Sequence, residues 1–66
     1  MKVHFDEKAD AIYLKLNDVK IIDSEEVTPG VILDFDKDDQ VVGIELLQMK
    51  KRVPLSELKQ LQFEVA

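Results

Sequence analysis

Cysteine and tryptophan are both missing from this 66-residue sequence. Without cysteine there are no disulfides and no thiolate metal sites, two of the devices that hold very small domains together. Glycine is nearly as scarce, at Gly30 and Gly43 alone, so no glycine-rich loop can cradle a phosphate. Histidine occurs once, as His4, and serine twice, as Ser24 and Ser56. A histidine-based metal cluster or nucleophilic triad therefore lacks most of its parts. Aromatic residues are limited to Phe5, Tyr13, Phe35 and Phe63, so a core must be assembled from valine, isoleucine and leucine. No apolar stretch approaches the ~20 residues that span a bilayer. The opening Met1–Asp6 lacks the apolar segment of a secretory signal. The expectation is a cytoplasmic protein with no membrane association and no cofactor.

What the chain does contain is order. Apolar residues make up 45% of it and charged residues 35%, and the apolar positions are regularly spaced, unlike those of a disordered segment. The length fits one domain over residues 1–66, near the lower limit for independent folding. A chain this small commonly recruits a partner to complete its core, so a homodimer is expected. The net charge of −5 is unevenly placed. Residues 1–22 balance to zero and residues 46–66 carry +2. Residues 23–45 carry −7, from Asp23, Glu25, Glu26, Asp34, Asp36, Asp38, Asp39 and Glu45 against Lys37. Such a middle repels phosphate backbones, which argues against nucleic acid and favours a basic protein as partner.

Periodicity supplies the elements. Val3 and Phe5 alternate with polar neighbours, and Ile12, Leu14 and Leu16 alternate with Ala11, Tyr13 and Lys15. These two runs read as a hairpin closed by the polar Glu7–Asp10. The β-branched stretch of residues 19–22 suggests a third strand, and Asp23–Glu26 a polar break. Thr28-Pro29-Gly30 has the composition of a type II turn, with proline at the second position and glycine at the third. Beyond it, Val31, Leu33 and Phe35 form one face, with Asp34 and Asp36 on the wet side. Lys37–Gln40 is the loop, and Val42, Ile44 and Leu46 return on the core face. Gly43 on the outer face marks a bulge or a close backbone approach. Met49–Arg52 reads as a basic linker. Pro54 suits the first position of a helix of about two turns carrying Leu55, Leu58 and Leu61. Phe63–Val65 is a scrap of alternation that suits a last strand. The fold class is α+β: an antiparallel meander of four to five strands with one short C-terminal helix packed on one face.

Two patterns invite a chemical reading. Asp34 through Glu45 matches a calcium-loop template at every ligand position, with Asp39 standing where the template needs glycine. That template also needs helices on both sides, whereas period-two alternation runs into and out of this segment. A hairpin with aspartates in water explains the same letters without an ion. The second pattern is His4, Asp6 and Tyr13 on the outer face of the first hairpin, with Asp10 beside them. They would form a conceivable acid–base cluster, but an ordinary polar face with one imidazole is the favoured reading.

Three separated blocks carry a family likeness. They are Val3-x-Phe5-Asp6-x-x-Ala9-Asp10-Ala11-x-Tyr13-x-x-Leu16, then Ser24-Glu25-Glu26-Val27-x-Pro29-Gly30-Val31-Ile32-Leu33-Asp34, then Val41–Leu47. In this order, over roughly residues 1–52, they resemble the prokaryotic family catalogued as domain of unknown function 2283. That family usually has glycine at the position of Asp39, so this chain departs from it in the hairpin loop. The family has no assigned reaction, and no functional residue is carried over. Its members are often described as encoded near small toxin-like proteins, which implies an antitoxin or accessory role. Taken with the charge distribution, the expectation is a non-enzymatic interaction module. Its steering charges would be Glu25, Glu26, Asp34, Asp36, Asp38 and Asp39. The alternative is a small dimeric enzyme or ligand-binding protein built on His4, Asp6, Asp10 and Tyr13.

Overall fold

The computed structural model describes all 66 residues. Five antiparallel strands form one sheet: β1 (Lys2–Asp6), β2 (Ala11–Lys15), β3 (Asp23–Thr28), β4 (Val31–Phe35) and β5 (Val41–Leu46). Two single-turn helices follow, α1 (Met49–Arg52) and α2 (Leu55–Leu58). The α+β class is as expected, but the strand order is β1-β2-β5-β4-β3. A simple meander would set β2 beside β3. Here residues 16–22 carry the chain past two strand positions to the far edge, and β5 fills the gap, a Greek-key arrangement.

That crossing corrects two expectations. Val19–Ile22 is the connection, joined to the sheet through the Ile22 amide, which donates to the Phe35 carbonyl at 2.8 Å. The polar segment expected to break the chain is β3 itself, and every one of its residues is exposed. An edge strand lies in water along one side, so its ladder to β4 sustains it without apolar alternation.

The other strand assignments follow the alternation. Val3 pairs with Leu14 and Phe5 with Ile12. Ile12 and Leu14 face Leu46 and Ile44, which in turn face Val31 and Leu33. These side chains share one apolar face, since successive residues on a strand alternate sides. The face is thinly covered. Val42 is buried, while Ile12, Leu14, Val31, Leu33, Ile44 and Leu46 are half-buried, and only five residues of the chain are buried.

The turns form as their residues dictate. Gly30 sits at φ 80°, the positive angle that the third residue of a type II turn requires. A Cβ there would stand 2.7 Å from the Arg52 guanidinium, which would have to shift aside. In the β4–β5 loop the Asp36 carboxylate accepts from the amides of Asp38 at 2.8 Å and Gln40 at 3.0 Å. Asp39 takes φ 58°, the left-handed conformation that glycine adopts freely and aspartate tolerates. The stretch Asp34–Glu45 is thus a hairpin with a strand on either side, not the helix–loop–helix of a calcium site.

The C-terminal segment is less regular than its leucine spacing suggests. Pro54 restricts the residue before it to an extended backbone, and Val53 lies at φ −142°, ψ 151°. One helix therefore cannot run through both turns. The expected linker Met49–Arg52 is helical, and the expected helix ends at Leu58. Leu61 is 74% exposed, and residues 63–65 form no strand. α1 is fixed by its first turn. The Asp10 carbonyl accepts from the Met49 amide at 3.0 Å, and the Asp10 carboxylate accepts from the Lys50 amide at 2.9 Å. Arg52 donates to the carbonyls of Leu47 and Pro29. No helix is long and apolar enough to cross a membrane.

Candidate functional site

The polar face of the sheet carries its most organised side-chain cluster. Ser24 on β3 lies opposite Asp34 on β4, and Asp34 lies opposite Gly43 on β5. Tyr13 on β2 is diagonal to Gly43, whose own partner is Lys15. The Tyr13 hydroxyl donates to Asp34 Oδ2 at 2.9 Å, and Ser24 Oγ donates to Asp34 Oδ1. One carboxylate thus joins side chains from β2 and β3, which have β5 and β4 between them.

Gly43 is the reason the span closes. A Cβ at this position would stand 2.5 Å from the Tyr13 hydroxyl and 3.0 Å from Asp34 Oδ2. Any other residue would deny the phenol its path across β5. The neighbouring register shift, where Asp34 pairs with Gly43 and Phe35 with Val41, leaves Val42 as the extra residue. A bulge thus lies beside Gly43, and the close approach at this glycine is made by side chains rather than by backbone. Asp34 is 6% exposed, which corrects the expectation that it sits in water as a steering charge. Its two donors explain how it is buried, since a buried carboxylate needs partners of this kind. The Tyr13 hydroxyl is held above the ordinary tyrosine value. Burial contributes most, followed by its hydrogen bond to Asp34 and the negative charges of Asp34 and Glu45.

The other sequence-derived cluster does not converge. His4 and Tyr13 are cross-strand partners, as are Asp6 and Ala11. The Asp6 carboxylate, however, accepts from the Ala9 amide within the β1–β2 turn at 3.0 Å. Asp10 points its carboxylate at α1, with its backbone at φ 56°. Two of the four groups are thus engaged by backbone amides, and no group of three or more His, Asp or Glu side chains is arranged to hold a metal ion. The molecule's two surface depressions lie elsewhere. One is lined by Met1, Lys2, Lys15, Asn17 and Asp18, the other by Val19, Lys20, Ile22 and Asp36–Asp38.

The remaining proposed steering residues fall into two groups. Glu25 and Glu26 lie along β3, at the sheet edge. Asp36, Asp38 and Asp39 occupy the β4–β5 loop, beside the start of β3, because Asp23 pairs with Phe35. None of them is in an ion pair. The chain's single salt bridge joins Lys15 to Asp18 at 2.9 Å, and it holds the Asp18 carboxyl below its usual value.

The family model described as a protein of unknown function, DUF2283, matches residues 2–50. The chain belongs to the DUF2283 family. The match ends within α1 and leaves α2 and the tail outside it. All of Tyr13, Ser24, Asp34 and Gly43 fall within the DUF2283 segment. No curated protein and no solved structure matches the chain. Sequence reasoning had assigned Tyr13, Asp34 and Gly43 to outer faces without joining them. The missing information was that β2 lies beside β5, which no hairpin connection reveals.

Proposed function

We propose that this DUF2283 protein is a non-enzymatic interaction module that receives a basic, extended segment of a partner protein along β3. Its supporting observation is an edge strand whose outer backbone groups are open and whose flanks are acidic. Edge strands accept an added strand through main-chain hydrogen bonds, and the flanking charges select what is added. Asp23, Glu25 and Glu26 run along this edge, and Asp36, Asp38 and Asp39 gather at its end, where Lys20 and Lys37 lie nearby without forming an ion pair. Asp34 is left out of this surface because it is buried. The Tyr13–Asp34–Ser24 bridge serves it indirectly by tying β3 to the interior of the sheet. The concrete version, drawn from the family likeness, is an antitoxin-like or accessory protein for a small basic toxin.

The test is a titration with the product of the adjacent reading frame, followed by isothermal calorimetry at several salt concentrations. Affinity is expected to fall by about tenfold or more between 50 and 300 mM salt, as exposed charge pairs are screened. Glu25→Lys with Glu26→Lys should weaken binding at low salt by a similar factor. Binding that ignores both salt and charge reversal would eliminate this reading.

A further inference from the structure

The two edges of the sheet differ in kind. β3 carries Asp23, Glu25 and Glu26, with its register shift only near the far end, between Glu26 and Thr28, and like charge along an edge protects it from pairing with itself. Two-fold pairing of β3 about Ser24 or Glu25 would set carboxylates against one another. β1 has no bulge, no proline and no run of like charge. We propose that β1 is a self-association edge, and that a second copy of this chain pairs with it antiparallel about a two-fold axis through His4. This surface is separate from the acidic edge and does not depend on the partner proposed for β3.

The register follows from the sequence of the strand. Around a two-fold axis, outward-pointing backbone groups meet their like only when the axis passes through a residue position. An axis at Val3 leaves Asp6 unpaired. An axis at Phe5 opposes Lys2 to Lys8. An axis at His4 pairs all five residues of β1. It sets Lys2 against Asp6 of the second copy, and Asp6 against Lys2, so one charge pair occurs twice. On the other side of the sheet it sets Val3 against Phe5, also twice, and extends the apolar face from one copy to the next. Part of each side-chain set remains free. Val3 is 43% exposed. Lys2 faces Lys15 across the β1–β2 ladder, and Lys15 is already bridged to Asp18, so Lys2 has no carboxylate of its own. Asp6 uses only Oδ1 in its turn.

The absence of cysteine makes the test clean. Residues opposite one another on antiparallel strands lie about 4.5–5.5 Å apart at Cα, within the range a disulfide spans. In this register His4 opposes His4. Lys2 is displaced from Lys2 of the second copy by four residues, roughly 13 Å along the strand. The full chain carrying His4→Cys, and separately Lys2→Cys, is oxidised mildly at about 0.1–1 mM, a concentration suited to a small interface. Light scattering on the unmodified protein runs beside it. The expected result is a dimer by light scattering, most of the His4→Cys protein linked as a dimer, and the Lys2→Cys protein largely unlinked. Three results would overturn the proposal: a monomeric unmodified protein, a dimer in which His4→Cys fails to link, or equal linking by both variants. The second would point instead to association through the apolar sheet face.

Discussion

The Tyr13 hydroxyl donates a hydrogen bond to a carboxylate that water barely reaches, and that single contact has measurable consequences. Removing the hydroxyl in Tyr13→Phe leaves Asp34 with Ser24 as its remaining side-chain donor. Hydrogen bonds to charged groups contribute about 1.5–3 kcal/mol, so a loss of roughly 2 kcal/mol is expected in urea unfolding, or on the order of 10 °C in Tm. The pH dependence has a definite sign. The folded chain raises the tyrosine value above 10.0 and so holds the proton more tightly than the unfolded chain. The stabilisation is complete below pH 10, where both states keep the proton, and is lost as the pH climbs from there through the folded value. The alkaline fall in stability should therefore be steeper in the native protein than in Tyr13→Phe. Tyr13 is the only tyrosine and there is no tryptophan, so tyrosinate absorbance follows this one group. Gly43→Ala should destabilise by a comparable amount, because its Cβ would displace the same hydroxyl. Combined with Tyr13→Phe, the two losses should sum to clearly more than the double variant shows, since both remove one interaction.

Among the elements, those whose two faces differ in polarity are the ones the sequence makes legible. β1, β2, β4 and β5 alternate, and they form where alternation places them. The turn at Pro29-Gly30 follows from its residue types. β3 and residues 19–22 were exchanged for one reason: hydrophobicity marks burial, and the exposed edge needs none, while the crossing connection carries β-branched residues. α1 was hidden because Met49–Arg52 is too short to show a helical period. Its formation depends on a distant residue, since the Asp10 carboxylate accepts from the Lys50 amide 40 positions away. The bridge at Tyr13 was hidden in the same way, because it needs the strand order, which local pattern does not encode. Asp10→Ala tests the helix contact. It removes the acceptor at the start of α1 and leaves alanine in a left-handed backbone at φ 56°. The expected cost is about 1–2 kcal/mol. Amide exchange at Lys50 should accelerate more than exchange in the β4–β5 ladder, because the opening is local. Uniform acceleration would place Asp10 in the global fold instead.

At the scale of the molecule, the sheet is close to a single layer. The principal extents are 37 × 30 × 20 Å, and the apolar side chains that line one face remain half-buried. The least exposed apolar side chain of the strands, Val42 at 3% exposure, lies at the bulge, where two hairpin strands and the crossing connection meet. Coverage of the sheet by chain beyond α2 is negligible: Leu61, Phe63 and Val65 are 74%, 76% and 82% exposed, and every residue from Lys59 onward is exposed. Deleting residues 59–66 should then change stability by no more than about 0.5 kcal/mol, the ordinary range for surface changes. The ladders, the Asp34 bridge and the Asp10–α1 contact all lie upstream and would be untouched. Urea unfolding of the 66-residue and shortened chains, at matched concentration, decides the matter. A loss of about 2 kcal/mol or more would mean that these apolar residues fold back over the open face in solution, and that the sheet gains its second layer from its own chain.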